Sequence, residues 1–242
     1  MSSTSLPSAL LLAAGLTLGG WFVGHGFADG RRSERTVTVK GVSERDVQAD
    51  LALWPLQVVA TDNDLARAQA RINDEVGQVR RFLGRHGIDS TQVELQQLDM
   101  TDVLADPYRD QTRGGPRYVL KQTVMVRSDH PTTVLAASQQ VGEVVGAGVS
   151  LASPGYGQSG PTFIFTRLND LKPKMIAEAT AEARRAAEQF ANDSRSALGP
   201  IHDANQGVFE ILPRDQAPGI QESSQLDKRL RVVTTVVYSL KE

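Results

Sequence analysis

The sequence contains no cysteine among its 242 residues, which excludes disulfide bonds, thiolate nucleophiles and cysteine-ligated zinc or iron–sulfur centres. Aromatic residues are sparse, at 5% of the chain, and 26 basic against 28 acidic residues leave a net charge of −2. Such balanced charge provides no bulk field for nucleic acid or an anionic membrane surface. We therefore expect no nucleic-acid partner. The length suffices for one large domain or two small ones with a buried core.

Recognisable catalytic patterns are also missing from the sequence. No Gly-x-Ser-x-Gly elbow occurs, and no Gly-Lys-Ser/Thr follows Gly155, Gly157 and Gly160, as a phosphate loop would require. No two histidines are three or four residues apart, so the sequence lacks the usual spacing of metal ligands. We predict no catalytic residue, no metal and no cofactor, and hence a non-enzymatic role. The four histidines are His25, His86, His130 and His202.

A group of aspartates lies on and beside a polar segment in the first half of the chain. Oxygen ligands at this spacing suit calcium, but the segment lacks the Asp-x-Asp-x-Asp-Gly pattern and a terminal bidentate glutamate. Arg109 and Arg113 are close enough to neutralise the group. We therefore predict a solvated loop rather than a calcium site. The aspartates are Asp99, Asp102, Asp106 and Asp110.

The N-terminus contains the longest apolar run, about eighteen uncharged residues from Leu6 to Val23, near the lower limit for a membrane-spanning helix. As a cleaved signal peptide, the segment would be cut after the small residues that end at Ala28. As a retained anchor, it would place Trp21 and Phe22 in the interfacial aromatic belt. We favour the anchor, with residues 1–28 as the membrane segment and residues 29–35 as a linker. The linker contains arginines, which the positive-inside rule would place in the cytoplasm.

Four glycines in this segment form two overlapping small-xxx-small pairs: Gly15, Gly19, Gly20 and Gly24. Such pairs let helix backbones approach closely and associate within lipid. Signal and anchor segments are often rich in glycine for other reasons, which is the simpler interpretation. The functional interpretation predicts that these four residues pack membrane helices against one another.

The longest predicted helix runs from about Leu171 to Leu198 and has an alanine-rich apolar stripe. Pro173 is expected in its first turn, where a missing N–H costs little. Gly199-Pro200 is expected to end the helix. Because the stripe is mostly alanine, the helix should lie close to a sheet. The stripe consists of Met175, Ile176, Ala179, Ala183, Ala186, Ala187, Phe190 and Leu198.

Other segments of the chain alternate apolar and polar residues and predict strands. Asp62–Asp64 should cap a second long helix, and a third helix is expected near Thr133–Val145. Pro55 argues for an edge position or a bulge in its strand. The predicted strands are Thr36–Gly41, Ala49–Ala60, Thr91–Val103, Arg117–Arg127, Thr162–Thr166, Ala204–Leu212 and Arg229–Leu240.

These elements predict an α+β domain over residues 36–242, with antiparallel or mixed sheets covered by long amphipathic helices. An N-terminal transmembrane helix would precede the domain. The order strand, helix, strand, strand occurs twice, which suggests two related halves over residues 36–130 and 131–242. Two polar excursions, 102–116 and 213–227, separate strands within these halves.

Four segments of the chain resemble the SIMPL domain family of bacterial envelope proteins, a domain of unknown function. They are VTVKGVSERDVQADLALWPL (Val37–Leu56), FTRLNDLKPKMIAEATAEARRAAEQFA (Phe165–Ala191), ANQGVFEI (Ala204–Ile211) and KRLRVVTTVVYSL (Lys228–Leu240). The resemblance extends from about Arg35 to Leu240. It implies a periplasmic domain, homo-oligomeric assembly and a role in tolerance of oxidative or envelope stress, without any catalytic residue.

We therefore predict a single-pass inner-membrane protein whose main domain lies in the periplasm and which acts as a self-assembling scaffold. Its expected partners are its own copies and, through the N-terminal helix, the lipid bilayer. Strand Ala49–Ala60 is the predicted open edge for assembly. The alternative hypothesis is a periplasmic ligand-binding module or hydrolase, with its site between loops 102–116 and 213–227.

Overall fold

The computed structural model describes residues 13–24, 35–105, 115–152 and 160–241. Residues 13–24 form an exposed helix, α1. Within the described ranges, no helix combines the length and the apolar character that a membrane crossing requires. Residues 6–12 of the predicted transmembrane segment lie outside these ranges.

The rest of the described chain is α+β, as predicted. The helices are α2 (Leu65–Arg85), α3 (Pro131–Gln139), α4 (Gly142–Gly146) and α5 (Leu168–Asp193), with short 3-10 turns at Ser90–Gln92, Val103–Ala105 and Glu222–Ser224. The strands are β1 (Thr36–Gln48), β2 (Leu51–Asp62), β3 (Val93–Asp102), β4 (Tyr118–Ser128), β5 (Leu151–Ala152), β6 (Thr162–Ile164), β7 (Ala197–Gln206), β8 (Glu210–Pro213) and β9 (Asp227–Lys241).

Two sheets contain these strands. One has the order β1-β9-β7, with β8 also pairing with β9, and the other has the order β3-β4-β2-β5, with β6 also pairing with β2. β9 is antiparallel to β7 and β8. β4 is antiparallel to both β2 and β3. These pairs are antiparallel, which is one of the two arrangements, antiparallel or mixed, that the sequence analysis left open.

The described chain divides into two compact units that are discontinuous in sequence. The first contains the residues up to Val42, Glu178–Gly207, and those from Val233 onward; the second contains Ser43–Ala177 and Val208–Val232. Their boundaries fall within β1, α5 and β9 and do not coincide with the predicted halves 36–130 and 131–242. The internal duplication stays a prediction.

The core of the second unit lies between α2 and one face of β2 and β4. The apolar stripe of α2 is buried at Ala68, Ile72, Val76, Val79 and Leu83, as its spacing predicts. Asp64 caps the helix by accepting a hydrogen bond from the Arg67 amide at 3.0 Å, which confirms the predicted cap. The buried strand positions include Ala52, Trp54, Leu56, Val58, Leu120, Val124 and Val126.

β2 is a central strand, so the predicted edge at Ala49–Ala60 is wrong. β4 pairs along its whole length on one side, and β6 and β5 pair on the other. β6 covers Leu51–Leu53 and β5 covers Gln57–Val58, so Pro55 falls between them. No strand of the described residues pairs with Pro55 on that side. The proline is tolerated in a central strand because its neighbour on that side is interrupted.

The bounds of the longest helix also differ from the prediction. α5 begins at Leu168 and ends at Asp193, so Pro173 lies beyond the first turn. Arg195 adopts a left-handed φ of 54°, and the Ser196 amide donates to the Ala191 carbonyl at 2.9 Å. This turn ends the helix before Gly199, which belongs to β7. A Cβ at Gly199 would lie 2.5 Å from Ser239 Oγ, so the glycine permits close strand pairing.

Two further predicted elements are each divided in the structure. The helix near Thr133–Val145 is replaced by α3 and α4. The strand predicted over Ala204–Leu212 is replaced by the end of β7 and by β8. Gly207 lies between β7 and β8, and a Cβ at this position would lie 2.8 Å from the Val233 carbonyl oxygen. Alternation alone does not reveal such interruptions, because the residues on both sides keep the strand pattern.

Alanines of α5 pack on β1 and β9 in the first unit, as the alanine-rich stripe predicts. Ala183 and Ala187 form a buried cluster with Val39, Val236 and Tyr238. Small side chains bring the helix axis close to the sheet. α5 approaches β1 closely at Gly41, where an added Cβ would lie 2.5 Å from the Ala183 backbone nitrogen.

Candidate functional site

The four glycines of the predicted membrane helix all lie in α1. A Cβ built at Gly15, Gly19, Gly20 or Gly24 meets no atom within 4 Å among the described residues. Trp21 and Phe22 contact each other edge to face, with ring centroids 5.4 Å apart. With respect to the described residues, the glycines are therefore sterically open, and their packing against another helix stays a prediction.

The aspartate group is partly described, and its described members make bonds to other side chains. Asp102 accepts two hydrogen bonds from Arg117 Nε at 3.2 Å and one from Arg117 Nη2 at 2.9 Å. These bonds lower the pKa of Asp102. Asp99 accepts a hydrogen bond from Gln97 Nε2 at 2.7 Å. Asp106 and Asp110 lie outside the described residues. In the described part of the chain, no three acidic or histidine side chains form a group that could hold a metal ion.

The described histidines lie at separate places. His86 Nε2 is 3.5 Å from Glu143 Oε2, and His86 is the C-cap residue of α2. His130 Nδ1 lies 2.7 Å from Asp129 Oδ1, a partner adjacent in sequence that the sequence analysis missed. His202 lies in β7. His25 is outside the described residues.

The two loops of the alternative hypothesis lie at opposite ends of β2. Asp102 pairs in register with Tyr118, which pairs with Asp62 at the C-terminal end of β2. At the other end, the Ala49 amide donates to the Leu226 carbonyl at 2.9 Å. Twelve residues of strand separate these ends by about 36 Å. The described parts of loops 102–116 and 213–227 therefore lie at opposite ends of β2. Residues 106–114 of the first loop fall outside the described residues, so a site between the two loops stays a prediction.

An apolar groove lies beside β3, an edge strand of its sheet. Leu95, Leu98 and Met100 are 42%, 42% and 54% exposed. They are opposite Val124, Gln122 and Leu120 of β4 in the strand register, so they lie on the sheet face that α2 covers. The groove has a cavity of about 540 Å³. Its lining residues are Leu65, Ala66, Gln69, Leu98, Met100 and Leu120.

The groove exists because α2 covers β4 and β2 but leaves the apolar side chains of β3 partly exposed. Leu65, at the start of α2, is itself 40% exposed. The strand register shifts between Leu95 and Leu98, and the Gln122 side-chain amide donates to the Gln96 carbonyl at this irregularity. The outer edge of β3 has no partner strand within the described residues, and an exposed apolar strip beside such an edge is a typical interaction surface.

A second cleft, of about 460 Å³, lies where the β1–β2 turn, the start of α3 and the start of α5 converge in the second unit. Asp50 lines this cleft. One Asp50 oxygen accepts from the Thr166 amide at 2.8 Å, and the other accepts from Arg167 Nε at 3.0 Å. The floor of the cleft is apolar and includes Phe165, which is buried. The cleft therefore combines an ion pair held by hydrogen bonds with an apolar surface.

Burial raises the pKa of the Asp50 carboxyl, but the hydrogen bonds from Thr166 and the guanidinium of Arg167 outweigh it, and the pKa lies below its ordinary value of 3.8. Ionised Asp50 therefore stabilises the fold at neutral pH, and this contribution is lost as the pH falls through the lowered pKa.

We expect Asp50→Asn to be less stable than the unmodified protein at about pH 7. The difference between their free energies of unfolding, measured with urea, should become smaller towards about pH 3.

Glu75 provides a control, because its pKa is shifted in the opposite direction to that of Asp50. Burial raises its pKa above 4.5, against the opposing effects of the Ser150 amide and Arg71. Its stabilising contribution is present below the ordinary pKa and is lost as the pH rises through the raised value. The stability difference between the unmodified protein and Glu75→Gln should thus change with pH in the opposite sense. A pH-independent difference for Asp50→Asn would contradict the role given to its ionised form.

A family model described as SIMPL, a protein of unknown function (DUF541), matches residues 37–238. The chain belongs to the SIMPL family. Both the apolar groove and the cleft around Asp50 lie within the matched residues, in the SIMPL domain of this chain. The comparison with curated proteins finds no match.

The sequence analysis of the SIMPL domain missed both surfaces. The strand that contains Leu95, Leu98 and Met100 was predicted, but its edge position depends on which strands pair. The cleft residues Asp50, Asp129 and Arg167 are far apart in sequence. Asp50 is adjacent to a strand and Arg167 precedes a helix, and neither position has a local pattern that would mark a site.

Proposed function

We propose that this SIMPL protein is anchored in the inner membrane by its N-terminal segment and acts in the periplasm as a non-enzymatic, self-assembling scaffold. Its physiological role would be in tolerance of oxidative or envelope stress, as the family resemblance suggests. The uncharged run from Leu6 to Val23 supports the anchor. The apolar groove beside β3 is the single observation that supports assembly.

The groove supports assembly through its apolar area and its open strand edge. The exposure of three large apolar side chains to water is unfavourable, and their burial against a second molecule would lower the free energy. The backbone groups on the outer edge of β3 also gain hydrogen bonds when another chain pairs or packs there. The groove thus replaces the predicted edge at Ala49–Ala60 as the proposed surface.

The test measures the molar mass of the detergent-solubilised full chain by light scattering. We expect a defined oligomer for the unmodified protein and a monomer for the double variant Leu98→Glu, Met100→Glu, because buried carboxylates disfavour the interface. Val208→Glu is the matched control. Val208 is 79% exposed but does not line the groove, so this variant should remain oligomeric.

A second variant separates the groove from the membrane helix. Replacing Gly19 and Gly20 with leucine prevents close helix approach in the anchor. If this variant alone became monomeric, the membrane helix rather than the groove would drive assembly. A monomeric unmodified protein would overturn the scaffold proposal.

A further inference from the structure

The cleft around Asp50 contains charges of both signs above an apolar floor. Arg167 and Asp50 form an ion pair at 3.0 Å, while Asp129 and Asp170 also line the cleft. Phe165 and Leu171 supply apolar surface. A volume of about 460 Å³ lies in the range of small-molecule sites. The cleft is thus large enough for a small ligand that is both polar and apolar.

Arg167 is held so that its outer nitrogens remain available. Its Nε donates to Asp50 Oδ2 at 3.0 Å, and Asp50 is itself fixed by the Thr166 amide. A guanidinium can donate five hydrogen bonds in a fixed fork, and one edge suits a carboxylate. The Arg167 side chain is 68% exposed, so these donors are accessible from the cleft.

The carboxylates of the cleft provide the opposite charge. Asp170 lies in the first turn of α5, and no side chain of the described residues pairs with its carboxylate. Asp129 bonds to the His130 ring at 2.7 Å and is 76% exposed. A purely anionic ligand would be repelled by these groups, and a purely cationic one would leave the outer nitrogens of Arg167 without an acceptor. A ligand with both charges satisfies both sets.

We propose that this cleft binds a small zwitterion with an apolar side chain, namely an amino acid or a short peptide. The ligand carboxylate bonds to the outer nitrogens of Arg167, and its ammonium group bonds to Asp170 and Asp129. The apolar side chain rests on Phe165 and Leu171. This binding activity goes beyond the scaffold role and does not depend on it.

The test titrates the detergent-solubilised full chain with L-leucyl-L-leucine in a calorimeter. Two blocked forms of the same dipeptide, one acetylated at the amine and one amidated at the carboxylate, each lack one charge. We expect the free dipeptide to bind about tenfold or more tightly than either blocked form, since a charge-assisted hydrogen bond is lost in each. Equal affinities for all three, or no heat of binding for the free dipeptide, would overturn the proposal.

Two variants test which residue binds the carboxylate of the dipeptide and which binds its ammonium group. Arg167→Gln should remove the preference for the free carboxylate while leaving the preference for the free amine, and Asp170→Asn should do the reverse. Arg184→Gln is the control, because Arg184 pairs with Glu188 on the exposed side of α5 and does not line the cleft. If Arg184→Gln weakened binding as much as Arg167→Gln, binding would not occur in this cleft. Thermal unfolding of each variant verifies that the fold persists.

Discussion

Replacing Gly41 with alanine should destabilise the protein by about 3 kcal/mol or more, at the upper end of the penalties for overpacking. The added Cβ would lie far inside van der Waals contact with the Ala179 carbonyl oxygen and 2.5 Å from the Ala183 backbone nitrogen. Both atoms belong to the backbone of α5, which cannot rotate away as a side chain can. Either α5 moves off β1, losing the packing of Ala183 and Ala187, or the strand distorts.

Urea unfolding of the full chain measures this effect, and Gly77→Ala is its matched control. Gly77 lies within α2, where, among the described residues, an added Cβ would meet the Arg81 side chain alone, at 3.5 Å. Alanine in a helix interior is favoured over glycine by about 1 kcal/mol, so the same substitution should stabilise the protein there. If Gly41→Ala unfolded at the same urea concentration as the unmodified protein, α5 would not lie as close to β1 as described.

Replacing Lys228 with alanine should cost about 2–4 kcal/mol, because the change combines a cavity with the loss of the ion pair of a buried lysine. The Lys228 side chain is 0% exposed and pairs with the Glu222 carboxylate. Its Nζ also donates to the Glu222 carbonyl at 2.7 Å. Without the lysine, that carbonyl loses its donor and the 3-10 turn at Glu222–Ser224 loses its attachment to β9. Denaturant unfolding measures the loss of stability, and hydrogen exchange should show faster exchange in residues 213–227.

Two further variants show whether the loss of stability in Lys228→Ala arises from the charge of the side chain and from its buried position. Lys228→Met keeps the length of the side chain and removes the charge, so it should recover the packing but not the protection of residues 213–227. Arg229→Ala changes the next residue, whose exposed ion pair with Asp46 has an N–O distance of 2.8 Å. It should have only a small effect, since exposed ion pairs add little to stability. A loss for Lys228→Ala no larger than for Arg229→Ala would contradict the importance of the buried pair.

The helices and the long strands followed from the sequence because their signals are local. α2 has its stripe and its Asp64 cap within one stretch of chain, and β9 alternates buried and half-buried residues over most of its length. The prediction failed where local patterns are ambiguous. Gly199-Pro200 is a usual signal for a helix end, yet the helix stops earlier at a left-handed Arg195, a residue type that gives no such signal.

The sequence by itself determined that the chain is α+β, that an alanine-rich helix lies close to a sheet, and that SIMPL is the family. These properties depend on periodicity and on residue type, which are read along the chain. Only the tertiary structure decided that β2 is central and β3 is an edge, and that Asp50 meets Arg167 across more than a hundred residues. Strand order and long-range pairing depend on which surfaces bury each other, and many orders of the same strands satisfy the same local pattern.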